Sequence, residues 1–265
     1  MPGSGSNFGK QRVSKKYYLT RPTLPSRRDV DALMDEIWDN KWLTNFGPIH
    51  NRFEAALEDY LGVGNIALVN NCTTGLMLAL KALGVHGEVI TTPYTFIATV
   101  NAILWAGLTP VFVDVDPETL NINPDAIESA ITQHTVAILP VHLFGRPCEI
   151  DKISTIAERH NLKVIYDAAH TMGGRYNGRS IVSHGNMSVL SFHATKGFST
   201  FEGGAVYCED VDLKRNLDSL ANFGLGNDDL AGVGLNGKMN EICAAMGLAQ
   251  LPMLEETISA RKVVA

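Results

Sequence analysis

Apolar positions along this chain change their period several times. Over about residues 28–40 they recur as Val30, Leu33, Met34, Ile37 and Trp38, one face of a helix. Asn45-Phe46-Gly47-Pro48 interrupts the pattern. A second helix is expected over 49–61, with Phe53, Ala56, Leu57 and Tyr60 at helical spacing, and Gly62 and Gly64 end it. Short apolar runs follow at 66–70, 88–91, 111–115, 136–141, 164–166, 187–192 and 205–208. Most are continuous rather than alternating, which marks strands buried on both faces. Helical segments at 73–83, 95–106, 124–131 and 150–160 separate several of them. Alternation of strand and helix predicts an α/β fold with a mostly parallel sheet of seven strands. From Asn236 a further helix is expected to run past Met246, with Leu254, Ile258 and Val263 continuing it toward the C-terminus.

Length and composition narrow this picture. At about 150 residues per domain, 265 residues fall between one domain and two, but seven strands of this kind suit one large domain. Apolar residues make up 45% and charged residues 19%, which excludes global disorder, collagen and coiled coil. Residues 1–16 are polar and expected to form a flexible tail without an apolar signal core, so a cytoplasmic protein is expected. A net charge of -6 argues against a nucleic-acid binder, and no apolar run is long enough to span a membrane. Cysteines at 72, 148, 208 and 243 form no Cys-x-x-Cys pair, so neither zinc nor a disulfide framework is expected.

Three segments could carry chemistry. Asn70-Asn71-Cys72-Thr73-Thr74-Gly75 lies where a strand gives way to a helix, so backbone N–H groups and two hydroxyls could hold a phosphate. The same residues could equally be an ordinary helix cap. Asp167 ends a buried strand, where open α/β sheets place ligands, and His170 follows it. The pair could serve structure or function. Lys196 lies between two predicted core strands among small and aromatic residues. A lysine withdrawn from water becomes a usable nucleophile or base, although most lysines simply sit on solvated faces. Gly232-Val233-Gly234-Leu235-Asn236-Gly237 matches G-x-G-x-x-G but follows a polar loop instead of a strand, so a dinucleotide site is not expected there. Asp114 and Asp116 suit a turn before Pro117 better than a catalytic pair, and the scattered histidines give no metal site.

Taken together, these segments resemble the DegT/StrS family of sugar-nucleotide aminotransferases, which use pyridoxal phosphate. The resemblance rests on the ordered motifs Thr73-Thr74, Pro93–Thr99, Asp167-Ala168-Ala169-His170, Ser191–Lys196 and Asn236–Ala245, with Arg21–Pro25 and Trp42–Pro48 before them. It implies an aspartate aminotransferase-like, fold type I cofactor-binding domain over residues 17–250. Residues 251–265 would begin a C-terminal small domain that is largely missing. In this likeness Lys196 carries the cofactor and moves the proton, and Asp167 pairs with the pyridine nitrogen. His170 and Phe96 flank the ring, while Thr73, Thr74 and Ser191 hold the phosphate. Asn236 would reach the neighbouring subunit's phosphate with Lys238 beside it, which implies a homodimer with shared active sites. Ser191–Lys196 with Thr200–Gly204 is most similar to enzymes that aminate C4 of a dTDP-4-keto-6-deoxyhexose. L-Glutamate is the implied donor. A dehydratase relative has histidine at the lysine position, so Lys196 favours transamination. The chain departs from the family at Cys72, where many members have glycine or another small residue. Other readings are an impaired cofactor-binding fragment or regulatory paralogue, a transaminase for a 3-keto or GDP/UDP-linked sugar, and, from the rejected glycine motif, a nicotinamide oxidoreductase.

Overall fold

The computed structural model describes Tyr18, residues 20–226, Leu230 and residues 232–264. The expected tail at residues 1–16 lies outside the described residues. Strands β1 (Ile66–Val69), β2 (Glu88–Thr91), β3 (Thr109–Phe112), β4 (Thr135–Ile138), β5 (Lys163–Asp167), β8 (Met187–Ser191) and β9 (Gly204–Cys208) form one sheet in the order β1-β9-β8-β5-β4-β2-β3. Neighbouring strands are parallel except at β9, which runs antiparallel to both β1 and β8. A small hairpin, β6 (Arg175–Tyr176) and β7 (Arg179–Ser180), stands apart from it.

Alternation along each strand feeds two cores. Ile66, Leu68, Val164, Tyr166 and Leu190 join an apolar cluster with α1 (Arg27–Asn40), α2 (Pro48–Leu61), α6 (Ile150–His160) and α8 (Glu241–Gln250). Ala67, Val69, Ile165 and Val189 join the other with α3 (Cys72–Ala82), α4 (Ile97–Trp105) and α7 (Val211–Ala221). Helices therefore cover both faces, and the continuous apolar runs follow from that. The remaining helices are α5 (Pro124–Ala130) and α9 (Leu254–Val264). Leu251 and Leu254 share the first cluster, so packing continues across the expected boundary at residue 250.

The expected elements are present with shifted edges. β3 ends at Phe112, so the apolar run at 111–115 is mostly beyond the ladder. Trp38 is exposed, and Ile37 is the residue of α1 that enters the core. The helix expected from Asn236 begins only at Glu241, because Asn240 caps it by accepting from Cys243 N at 2.8 Å. Asn236–Met239 is extended instead, with Lys238 bridged to Val69 and Asn70 N donating to Gly237 O at 2.7 Å. Two elements were not anticipated. The amphipathic α7 had its signal in Leu213, Leu217 and Leu220, and the small hairpin had an Asn177-Gly178 turn.

Candidate active site

Because β9 alone is reversed, β1, β5 and β8 end where β9 starts. Val69 and Ser191 both pair with Gly204, and Asp167 pairs with Val189 two residues earlier on β8. This brings the start of α3, Asp167, Ser191 and the loop bearing Lys196 to one rim. A cavity of about 920 Å³ opens there. Thr73, Thr74, Phe96, Asp167, His170, Ser191 and Lys196 all line it. Asn236 does not; its side chain is exposed, and its carbonyl accepts from Asn70 Nδ2 at 3.1 Å.

At the phosphate-like corner, Asn71 does the capping. Its Oδ1 accepts from Thr74 N at 2.8 Å, and its carbonyl from Gly75 N at 3.0 Å. Among the described residues, the amides of Cys72 and Thr73 have no acceptor, and they sit at the positive end of the eleven-residue α3. The helix-cap reading and the anion-site reading are thus compatible. Ser191 ends β8 beside this corner with 6% of its surface exposed.

Asp167 is the anionic centre of the cavity and is 4% exposed. Its Oδ2 accepts from Thr99 Oγ1 at 2.7 Å and its Oδ1 from Ala169 N at 3.1 Å. Thr99 is in turn bonded to Thr95 at 2.7 Å. No cationic group lies within 4.0 Å of the carboxylate among the described residues. Burial raises its pKa above the ordinary carboxylate value, against those hydrogen bonds and the nearby charges of His170 and Lys196. Lys196 is half-buried and also lacks a carboxylate partner among the described residues. Burial lowers its pKa, opposed by Cys72 and Asp167. The Cys72 thiol is pushed up by burial, so it is a neutral wall of the cavity.

His170 is oriented by a residue that sequence reasoning missed. Phe144 N donates to His170 Nδ1 at 3.2 Å, and the two rings lie nearly parallel at 4° with centroids 6.1 Å apart. This requires Phe144 in the left-handed region at φ 52, a conformation with no local sequence signal. Nδ1 therefore accepts, and burial, assisted by the Lys196 charge, lowers the His170 pKa. His142 was also missed. Its backbone N donates to Asp167 O at 3.0 Å, its Nδ1 accepts from Cys148 N at 3.0 Å, and its ring stacks on Tyr166 at 4.5 Å. Burial lowers its pKa to about 3, so it is a neutral support beneath Asp167.

Other candidates fall elsewhere. Lys238 is buried with Nζ donating to Asn222 Oδ1 at 2.7 Å and lying 4.8 Å from the Phe223 ring centre. It is not the free charge expected beside a neighbour's phosphate. Asp116 closes a turn by accepting from Glu118 N and Thr119 N at 3.0 and 2.8 Å. Gly232–Gly237 lies in irregular chain ahead of the Asn240 cap.

The DegT/DnrJ/EryC1/StrS aminotransferase profile matches residues 26–265. A dTDP-4-amino-4,6-dideoxy-D-glucose transaminase of Shigella dysenteriae is 49% identical over 250 residues, covering 94% of this chain and 68% of that protein. A crystal structure of DesI in the presence of its TDP-sugar product matches with a TM-score of 0.85 at 43% identity, covering 89% of this chain and 60% of that one. A Bacillus subtilis NtdA structure with bound cofactor PMP matches with a TM-score of 0.80 at 32% identity, covering 90% of this chain and 57% of that one. The chain thus spans 68% of the curated Shigella relative and 57–60% of these solved structures.

Proposed function

Since the chain belongs to the DegT/DnrJ/EryC1/StrS aminotransferase family, we propose that it serves a pyridoxal-phosphate-dependent transfer of an amino group from L-glutamate to dTDP-4-keto-6-deoxyglucose. The observation that carries this reading is Asp167 and Lys196 opening on one cavity, a buried carboxylate and a half-buried amine that, among the described residues, have no ion-pair partner within 4.0 Å. The identity with the Shigella transaminase supports the sugar and the position of amination.

The residues fit the cofactor. A buried anion that burial disfavours is stabilised by a ligand N–H placed against it. The free amides of α3 with Thr73, Thr74 and Ser191 suit a phosphate at the opposite end. When bound, pyridoxal phosphate supplies an electron sink and a carrier for the amino group. Asp167 would hold a proton on the ring nitrogen, with Thr99 and the amide of Ala169 fixing the carboxylate. Lys196 Nζ would bind the cofactor covalently, then move a proton between the two carbons flanking the transferred nitrogen. Its lowered pKa raises the share of free amine available for both tasks. His170, held by the Phe144 amide, would lie against one ring face and Phe96 against the other. Asn236, exposed and outside its own cavity, would complete the site of a second copy in a homodimer. Residues 17–250 are the cofactor-binding domain in this reading, and the compartment is the cytoplasm.

Loading with pyridoxal phosphate, reduction with borohydride and peptide mapping tests the assignment. The pyridoxyl label is expected on Lys196. A label on another lysine, or none in a coloured sample, refutes it. Product analysis by NMR with dTDP-4-keto-6-deoxyglucose and L-glutamate tests the substrate. Turnover only of a 3-keto sugar, or only of a GDP- or UDP-linked sugar, replaces the substrate and leaves the transaminase class.

A further inference from the structure

A second cavity, of about 720 Å³, opens beside the loop that bears Lys196. Arg21 comes to it from the extended segment before α1, Arg261 from α9, and Thr195 from the lysine loop. Thr195 lines the first cavity as well, so one residue next to Lys196 is a common wall of the two.

The walls are held in place. Gln250, 3% exposed, donates from Nε2 to Thr23 O at 2.7 Å and accepts at Oε1 from Ser199 N at 3.0 Å. It therefore ties the segment of Arg21 to the loop of Lys196. The Arg261 guanidinium lies against Gly197, the residue after the lysine. A Cβ there would come 3.0 Å from Arg261 Nη1, so the glycine leaves the room the guanidinium uses. Neither Arg21 nor Arg261 has a carboxylate within 4.0 Å among the described residues, although Glu256 also lines the cavity. Two unpaired guanidinium groups thus face one hollow in a chain of net charge -6. Arginine forks match phosphate and carboxylate oxygens in bidentate fashion.

We propose that this cavity is an oxyanion subsite of the active centre, in which Arg21 and Arg261 hold a phosphate or carboxylate of a substrate reacting at Lys196. The inference rests on the transaminase reading, because both substrates of that reaction carry such groups: a diphosphate on the nucleotide sugar and carboxylates on the amino acid. Thr195, which lines both cavities, sets the anion next to the cavity of the reacting amine.

The test is titration calorimetry on the pyridoxal-phosphate-loaded chain with two unreactive probes, dTDP and 2-oxoglutarate, at low and high salt. Arg261→Gln and Arg21→Gln should each weaken one probe about tenfold or more, with cofactor uptake unchanged. Arg261→Lys should fall between wild type and Arg261→Gln, since it keeps the charge without the fork. The difference between wild type and variant should shrink at high salt, a response that a packing lesion does not give. Arg215→Gln, a change to an exposed arginine on α7, should leave both affinities as they are. Weakened dTDP identifies the diphosphate as occupant, and weakened 2-oxoglutarate identifies the carboxylate. If cofactor-loaded wild type binds neither probe, or binds them no better than the Arg21 and Arg261 variants, the subsite is refuted while the transaminase reading stands. If the wild type takes up no cofactor and binds neither probe, the transaminase reading fails with it.

Discussion

Glu241 offers a sharp test of how the C-terminal part of the chain holds the N-terminal helices. It is 1% exposed, and it caps a helix that precedes it by 192 residues. Its Oε2 accepts from Ile49 N at 3.0 Å and its Oε1 from His50 N at 2.8 Å. Its own amide donates to Leu43 O at 3.0 Å. Helix α2 has no cap of its own, because Gly47 carries no side chain and Pro48 has no N–H. Hydrogen bonds to a charged group contribute roughly 1.5–3 kcal/mol each, so two contribute about 3–6 kcal/mol. Water entering the gap offsets part of this, and Glu241→Ala should cost about 3–5 kcal/mol out of a domain stability of roughly 5–15 kcal/mol. Glu241→Gln keeps the shape but sets an NH₂ against one of the amides, and should cost about 2 kcal/mol. Urea unfolding of the cofactor-free protein, followed by circular dichroism at one protein concentration, reads both values. A loss below about 1 kcal/mol for Glu241→Ala, or equal losses for the two variants, refutes the cross-chain cap.

Three further outcomes are expected. Burial raises the folded pKa of Asp167 above the ordinary 3.8, so the native state holds that proton more tightly than the unfolded chain. Stability of the cofactor-free wild type should therefore carry a component that falls as pH rises from 3.8 through the folded value. Asp167→Asn should lack it, gaining on wild type toward neutral pH while transaminating far more slowly; parallel urea-stability profiles against pH refute this. Gly75→Ala would set a Cβ 2.8 Å from Val189 Cγ1 and 3.2 Å from methyls of Val69 and Val206. It should cost about 1–3 kcal/mol by urea unfolding and weaken cofactor retention by lifting α3 from the sheet. Mixed dimers of Lys196→Ala and Asn236→Ala subunits, in chains that turn over, should recover activity at one of two sites, and no recovery despite demonstrated subunit exchange places both residues in one site.

What could be read from the sequence was local or periodic. Continuous apolar runs such as 187–192 marked buried strands because helices cover both faces of the sheet. The cavity residues Thr73, Thr74, Phe96, Asp167 and Ser191 were legible because each sits at a strand end or helix start, and His170 and Lys196 because they follow such strand ends within a few residues. Tertiary contacts accounted for the rest. Phe144 turns left-handed to reach His170, and His142 supports Asp167 through its backbone, neither of which leaves a pattern in neighbouring residues. Asn236 was read as a helix start because 236–246 carries helical residues; pairing with β1 and the Asn240 cap override that propensity. Lys238 was assigned by its charge, and burial against Asn222 and Phe223 decided its place.

The reversed strand β9 also sets a timetable for synthesis. β1 and α3 leave the ribosome early, yet the partner that β1 pairs with is residues 204–207. Until those residues emerge, β1 has no neighbour in the sheet, and α3 is positioned only by its packing against β8, β5 and α4. Such long-range pairing closes slowly, and unpaired strand edges invite association in the meantime. Completion of the cavity rim is thus deferred until residues 204–207 have been made, and a nascent chain stalled before residue 204 should expose the β1 edge and hold the cofactor less well than the longer chain.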